Sequence, residues 1–311
     1  MTYTYAVLLL LLSAIWGASF LFIKVGVAEM GPLSFAMLRV GIGSLVLWLV
    51  IRARRLKLPS DWRTWKHFAF VGFFNALVPF SLMAWGTQYI PSGLSSILNA
   101  TMPLFTFVLA VVLGAEPLTR TRTVGMLLGF AGILVLTLPK LSDGIEASFW
   151  AEMAIVVGSF SYAIATNYAK RHIADQPPLV ASLGQVSTGF LFFVPLSLVE
   201  QPWTMRPSGQ AILALLGLAV LGTALAYILY YRLLQGIGAT GTSLVTYIAP
   251  IFGVFWGWTI LGERLSWHAF AALALILVGM LLVNNMLGSR RVGVQVAPGT
   301  ERPRLLKKET R

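Results

Sequence analysis

Ten long apolar runs, separated by short basic loops, constrain this chain more than any other feature. They cover about residues 5–27, 32–51, 66–88, 92–114, 122–138, 149–169, 179–199, 209–232, 240–261 and 267–287. A membrane-crossing helix needs roughly 20 apolar residues, and most of the runs reach that length. The hydrocarbon core offers no water to backbone N–H and C=O groups, so spanning segments are helices or closed barrel strands. Barrel strands alternate apolar and polar side chains; these runs are continuous. The expected fold is therefore an all-α membrane protein of ten transmembrane helices. Composition agrees, because 57% of residues are hydrophobic and 11% charged, against about 25% charged in a soluble domain. The first run is too long for a signal-peptide core and no small-residue cleavage site follows it, so it reads as a retained helix.

The net charge of +12 does not call for nucleic acid, because the basic residues sit between the runs. Arg52, Arg54, Arg55, Lys57, Arg63 and Lys66 follow the second run. Arg120, Arg122, Lys170 and Arg171 follow the fourth and sixth, whereas the other side carries Lys24, Lys140, Arg206 and Arg264. The excess of Lys and Arg on cytoplasmic loops predicts both termini in the cytoplasm. Residues 289–311 are polar and basic and are expected to form a disordered cytoplasmic tail.

The chain also resembles itself. Pro32-Leu33 matches Pro178-Leu179, and Lys24 matches Lys170, at an offset near 146 residues. One residue further on in offset, Gln88, Ile90, Ser96, Pro103, Phe105, Glu116, Leu118 and Gly132 match Gln235, Ile237, Ser243, Pro250, Phe252, Glu263, Leu265 and Gly279. Matches in order along a half-chain indicate a repeat. Residues 1–142 and 143–288 then form two units of five helices each. An odd number of spans turns the second unit upside down, and inverted repeats are a recurrent transporter architecture with the substrate at the midplane between them.

Trp16-Gly17-Ala18-Ser19-Phe20 with Lys24, Phe35 with Arg39, and the stretches from Pro103 to Glu116-Pro117-Leu118 and from Pro250 to Glu263-Arg264-Leu265 resemble the drug/metabolite transporter superfamily. The resemblance is to two tandem EamA-type units and extends over about residues 5–287. Within the superfamily the chain is similar to bacterial amino-acid and metabolite exporters, including the YddG group. That resemblance implies ten helices in a basket around a central cavity, in the bacterial cytoplasmic (inner) membrane.

Candidate site residues follow from their depth. Asn75 and Asn99 are amides in mid-span, where polar groups are expensive and usually face the bundle interior. Trp16 and Tyr162, repeat equivalents, lie away from the interfacial belts where such rings collect. Trp85, Tyr227, Tyr230 and Tyr247 add aromatic surface, and Ser19 and Ser243 add hydroxyls. Organic-ligand pockets are mostly apolar and aromatic with a few placed polar groups. Trp16, Asn75, Asn99, Tyr162, Tyr227 and Ser243 are expected at one central space. Pro79, Pro103 and Pro250 are candidate hinges, because proline removes a backbone donor inside a helix. Each of these residues also has a packing role open to it. Arg39 is the basic residue well inside a span; snorkelling, a backbone carbonyl or a substrate carboxylate would each satisfy it, and the sequence favours a structural role. Glu116 and Glu263 fall on opposite membrane faces and read as helix-end caps or loop-ordering residues.

The chain has no cysteine, which excludes thiolate chemistry. It has no phosphate-binding G-x-x-x-x-G-K-[ST] loop, so no ATPase activity of its own, and no ATPase subunit or cofactor is implied. His67, His172 and His268 lack ligand spacing, and no metal site is expected. Gly236, Gly238 and Gly241 spell a dinucleotide-like pattern, but between two spans it reads as a turn. All eleven acids fall in loops, tails or span ends. Proton-coupled carriers commonly hold acids inside the membrane, so a monomeric, gradient-driven facilitator exporting amino acids or related amphipathic metabolites is the expected function. A proton-coupled antiporter, an intramembrane lipid-modifying enzyme and a channel are the alternatives.

Overall fold

A computed structural model describes residues 3–142 and 146–284, apart from the side chains of residues 140–142 and 239–240. The tail expected over residues 289–311 lies outside them. Among the described residues, nine helices are long and apolar enough to cross a membrane. They are α1 (Tyr3–Met30), α2 (Pro32–Ala53), α3 (Trp62–Tyr89), α4 (Ser92–Val112), α5 (Arg120–Pro139), α6 (Ala147–His172), α7 (Pro178–Glu200), α8 (Gly209–Gly238) and α9 (Gly241–Leu261). A tenth apolar helix, α10 (Trp267–Val283), is shorter. No strand occurs among the described residues.

Local chemistry sets the helix ends. Pro32 and Pro178 open α2 and α7, where a missing N–H leaves no bond unmade. Asp61 caps α3 by accepting from the Thr64 N–H at 2.7 Å, and Ser208 caps α8 by accepting from the Ala211 N–H at 3.3 Å. Gly238 separates α8 from α9 with φ 71°, a conformation that costs glycine little. The G-x-G-x-x-G stretch is therefore the interhelical turn its flanking spans predict.

The repeat shows in the backbone as well as in the sequence. Arg55 (φ 53°) and Gln201 (φ 49°), the positive-φ non-glycine residues among the described ones, are equivalents at the offset that pairs Pro32 with Pro178. Wider π-helical turns interrupt α3 at Phe73–Leu77 and α8 at Gly217–Leu225, again at equivalent places. The proline pair, by contrast, has parted. A turn at Ala100 and Thr101 splits α4 just before Pro103, whereas α9 runs through Pro250 without a break.

The two units interleave. α1 packs against α8 and α9 as α6 packs against α3 and α4, while α2 pairs with α7 and α5 with α10. The α5–α10 crossing is close: a Cβ on Gly125 would stand 2.6 Å from the Gly279 carbonyl oxygen. Lipid is as apolar as leucine, so such helices associate through small residues that let backbones approach. The connections α2–α3, α4–α5, α6–α7 and α8–α9 lie on one side, the basic face; the others lie on the distal face.

Candidate functional site

The distal face is latched. Glu263, after α9, accepts from the backbone N–H groups of Ser92 and Gly93 at 2.7 and 3.0 Å and from the Ser92 hydroxyl at 3.0 Å. Its carboxylate thereby caps α4, where the unpaired N–H groups and the helix dipole favour negative charge. Glu200 caps α2 in the same way, through Leu33 at 3.0 Å and Ser34 at 2.7 Å. Lys24 donates to the carbonyls of Gln88 and Ile90, at 3.1 and 2.9 Å, where α3 ends. Glu29 accepts from the backbone N–H and hydroxyl of Ser208, joining α1 to the start of α8.

The repeat equivalents at the basic face are apart. Glu116, partner in sequence of Glu263, is exposed and pairs with Arg122 at 2.8 Å instead of capping α9. Lys170, equivalent to Lys24, makes no hydrogen bond among the described residues and is exposed. Where Glu200 caps α2, Arg54 stands opposite the start of α7 and closes nothing. A cavity of about 500 Å³ opens there between Arg54, Pro178, Tyr231, Arg232 and Gln235. The two faces thus differ: hydrogen bonds bridge the distal one, and the cavity lies at the basic one.

Polar groups converge beneath this opening. Asn75 Nδ2 donates to Gln185 Oε1 at 3.1 Å, and Gln185 Nε2 donates to Tyr227 Oη at 3.3 Å. Tyr227 stacks on Tyr231 at 6.4 Å between ring centroids, and Tyr231 lines the cavity. Arg39 lies over the Phe80 ring, 3.9 Å from its centroid, and Phe80 meets Tyr162 edge-on at 6.2 Å.

A second group surrounds the break in α4. Trp16, Asn99, Pro103, Thr246 and Pro250 line a cavity of about 70 Å³. Asn99 Oδ1 accepts from the Ser159 hydroxyl at 3.5 Å, and Trp16 lies 5.7 Å from Tyr230. The residues expected at one central space are thus divided, with Asn75, Tyr162 and Tyr227 in the first group and Trp16 and Asn99 in the second. Ser243 sits beside the second, its carbonyl accepting from Thr246 Oγ1 at 2.7 Å. The remaining candidates point to packing. Tyr247 Oη donates to the Met280 carbonyl and accepts from Asn284, tying α9 to the end of α10. Ser19 Oγ returns to the Ile15 carbonyl at 3.4 Å, and Trp85 packs on Tyr89. Pro79 follows the π-helical turn of α3 that carries Asn75.

Two residues read differently in three dimensions. Glu152, counted with the span-end acids, has no exposed surface inside α6. Arg39 is 9% exposed and does not snorkel. Gln185 joins this group outside the sequence candidates, although its mid-span amide carries the same signal as Asn75 and Asn99. Phe80 and Tyr231 carry no sequence signal that separates them from packing aromatics. Among the described residues no group of His, Cys, Asp and Glu could hold a metal.

Comparison with known proteins fits this architecture. The EamA-like transporter family model matches twice, over residues 4–138 and 149–285, and the chain belongs to that family. The uncharacterized transporter YoaV of Bacillus subtilis is 25% identical over 89% of this chain and 95% of its own length. The uncharacterized inner membrane transporter YedA of Escherichia coli is 26% identical over 86% of this chain and 87% of its own length. A solved structure shares the fold with a TM-score of 0.65, at 19% identity, over 94% of this chain and 100% of its own. The protein is a multi-pass membrane transporter.

Proposed function

We propose that the chain exports amino acids or related amphipathic metabolites across the bacterial cytoplasmic membrane by alternating access, as a monomer driven by the substrate gradient. The basic face is then cytoplasmic, and residues 1–142 and 143–288 are the two moving units. The observation that carries the reading is the difference between repeat equivalents. Glu263 is docked on the start of α4 while Glu116 is undocked, so the two faces hold opposite states. Exchange of those states would close the cytoplasmic cavity and open the outer face, which is how inverted-repeat carriers work. The aromatic and amide lining suits an organic substrate better than an inorganic ion.

Counterflow in proteoliposomes tests this against a panel of amino acids, nucleosides and cationic drugs. Saturable exchange of amino acids is expected. Exchange of nucleosides or drugs alone would overturn the substrate class, and flux that never saturates would indicate a channel. The buried Glu152 gives one specific reason to keep proton-coupled antiport as a second reading, because intramembrane acids commonly form proton relays.

A further inference from the structure

Among the described residues Arg39 has no partner for its charge. Its guanidinium offers five N–H donors, yet it makes no hydrogen bond or ion pair among the described residues, and its Nε is buried and unsatisfied. The salt bridge among the described residues joins Arg122 to Glu116, far from it on the basic face. Contact with the Phe80 face at 3.9 Å is a favourable attraction, but it is weaker than the cost of burying an unpaired ion. Buried charges are paired as a rule, and Arg39 departs from it.

We propose that Arg39 is the anchor for a carboxylate on the transported molecule. The planar guanidinium matches a carboxylate with two parallel hydrogen bonds. The groups around it define the rest of the ligand. The phenols of Tyr162 and Tyr227 lie near it, Gln185, itself held by Asn75, donates to the Tyr227 hydroxyl, and Phe80 and Tyr162 present ring surface. A small organic acid with an apolar or aromatic body fits this set. The path is short: Tyr231 lines the cytoplasmic cavity and Tyr227 lies one turn deeper on α8. The assignment deepens the export reading by naming the charged end of its substrate, and it reverses the structural role that the sequence favours for Arg39.

The test uses the purified full chain in detergent and in proteoliposomes. Thermal stabilisation and counterflow are measured with phenylalanine, phenylacetate, phenylalaninamide and phenethylamine. The wild type should respond to the two carboxylates and respond about tenfold to a hundredfold more weakly to the two compounds without one, the range for a hydrogen-bonded charge. Arg39→Met should abolish that preference. Without ligand it should unfold at the same temperature as the wild type or higher, because an unpaired buried charge has been removed. Arg39→Lys should retain part of the preference, keeping the charge but not the fork. Preference for carboxylates surviving in Arg39→Met would overturn the assignment, as would a wild type that prefers the amide or the amine. The wild-type comparison stands alone if a variant fails to fold. Stabilisation by phenylacetate but not phenylalanine would keep the anchor while rejecting amino-acid export.

Discussion

The carboxylate of Glu263 accepts the backbone N–H of Ser92 at 2.7 Å, joining the end of the second unit to the start of α4 in the first. Its equivalent, Glu116, should make the same contact with the backbone of residues 239–240 once the other face closes. Glu263→Gln and Glu116→Gln should each slow transport, because each removes a charged cap worth about 1.5–3 kcal/mol from one of two alternating states. Arg122→Ala is the control. If it slows counterflow as much as Glu116→Gln does, Glu116 serves only its salt bridge.

Orientation is open to direct labelling, since the chain has no cysteine of its own. Single cysteines at Asp61 and Gly299 should resist an impermeant thiol reagent in intact cells and react after lysis. Labelling of either from outside would reverse the assignment of the basic face to the cytoplasm.

Asn99→Ala should reduce transport while leaving surface expression near normal. The amide lies at the break in α4, where among the described residues its side chain has the 3.5 Å contact from Ser159, and an interhelical hydrogen bond averages about 0.6 kcal/mol. Wild-type flux in this variant would leave Asn99 a packing residue.

The α5–α10 crossing leaves no room for a side chain. A Cβ on Gly279 would lie 2.7 Å from the Gly129 backbone nitrogen, so Gly279→Val should lower the unfolding temperature in detergent by the equivalent of about 1–3 kcal/mol, the cost of overpacking. Gly209→Val, at a site where a Cβ meets nothing within 4 Å, should not destabilise through crowding. Equal losses in the two would show that the crossing is not what holds the units together.

Energy coupling separates the two transport readings. Efflux of a preloaded amino acid with equal pH on both sides should continue when an ionophore collapses the proton gradient, and Glu152→Gln should leave that efflux unchanged. Accumulation that needs an imposed pH gradient and is lost in Glu152→Gln would establish antiport with Glu152 as the coupling group.

The helices, their number and the repeat are legible in the apolar pattern alone. Long continuous apolar runs have one solution in lipid, and Pro32 with Pro178 or Gly238 alone in its turn mark ends through local backbone chemistry. Mid-span amides likewise announced Asn75 and Asn99, because a polar group in hydrocarbon needs a partner. Which equivalents meet depends on the packing of helices from both halves. Glu116 and Glu263 are equivalent in sequence, yet Glu263 is docked on the start of α4 and Glu116 pairs with Arg122 in its own connection, because the helices that meet each acid are brought up from the other half of the chain. The charge on Arg39 is visible in the sequence; that no acid pairs with it among the described residues is not, since ion pairing is set by helices distant along the chain. The same holds for Glu152, whose place near a helix end hides that α6 carries it into the packed interior.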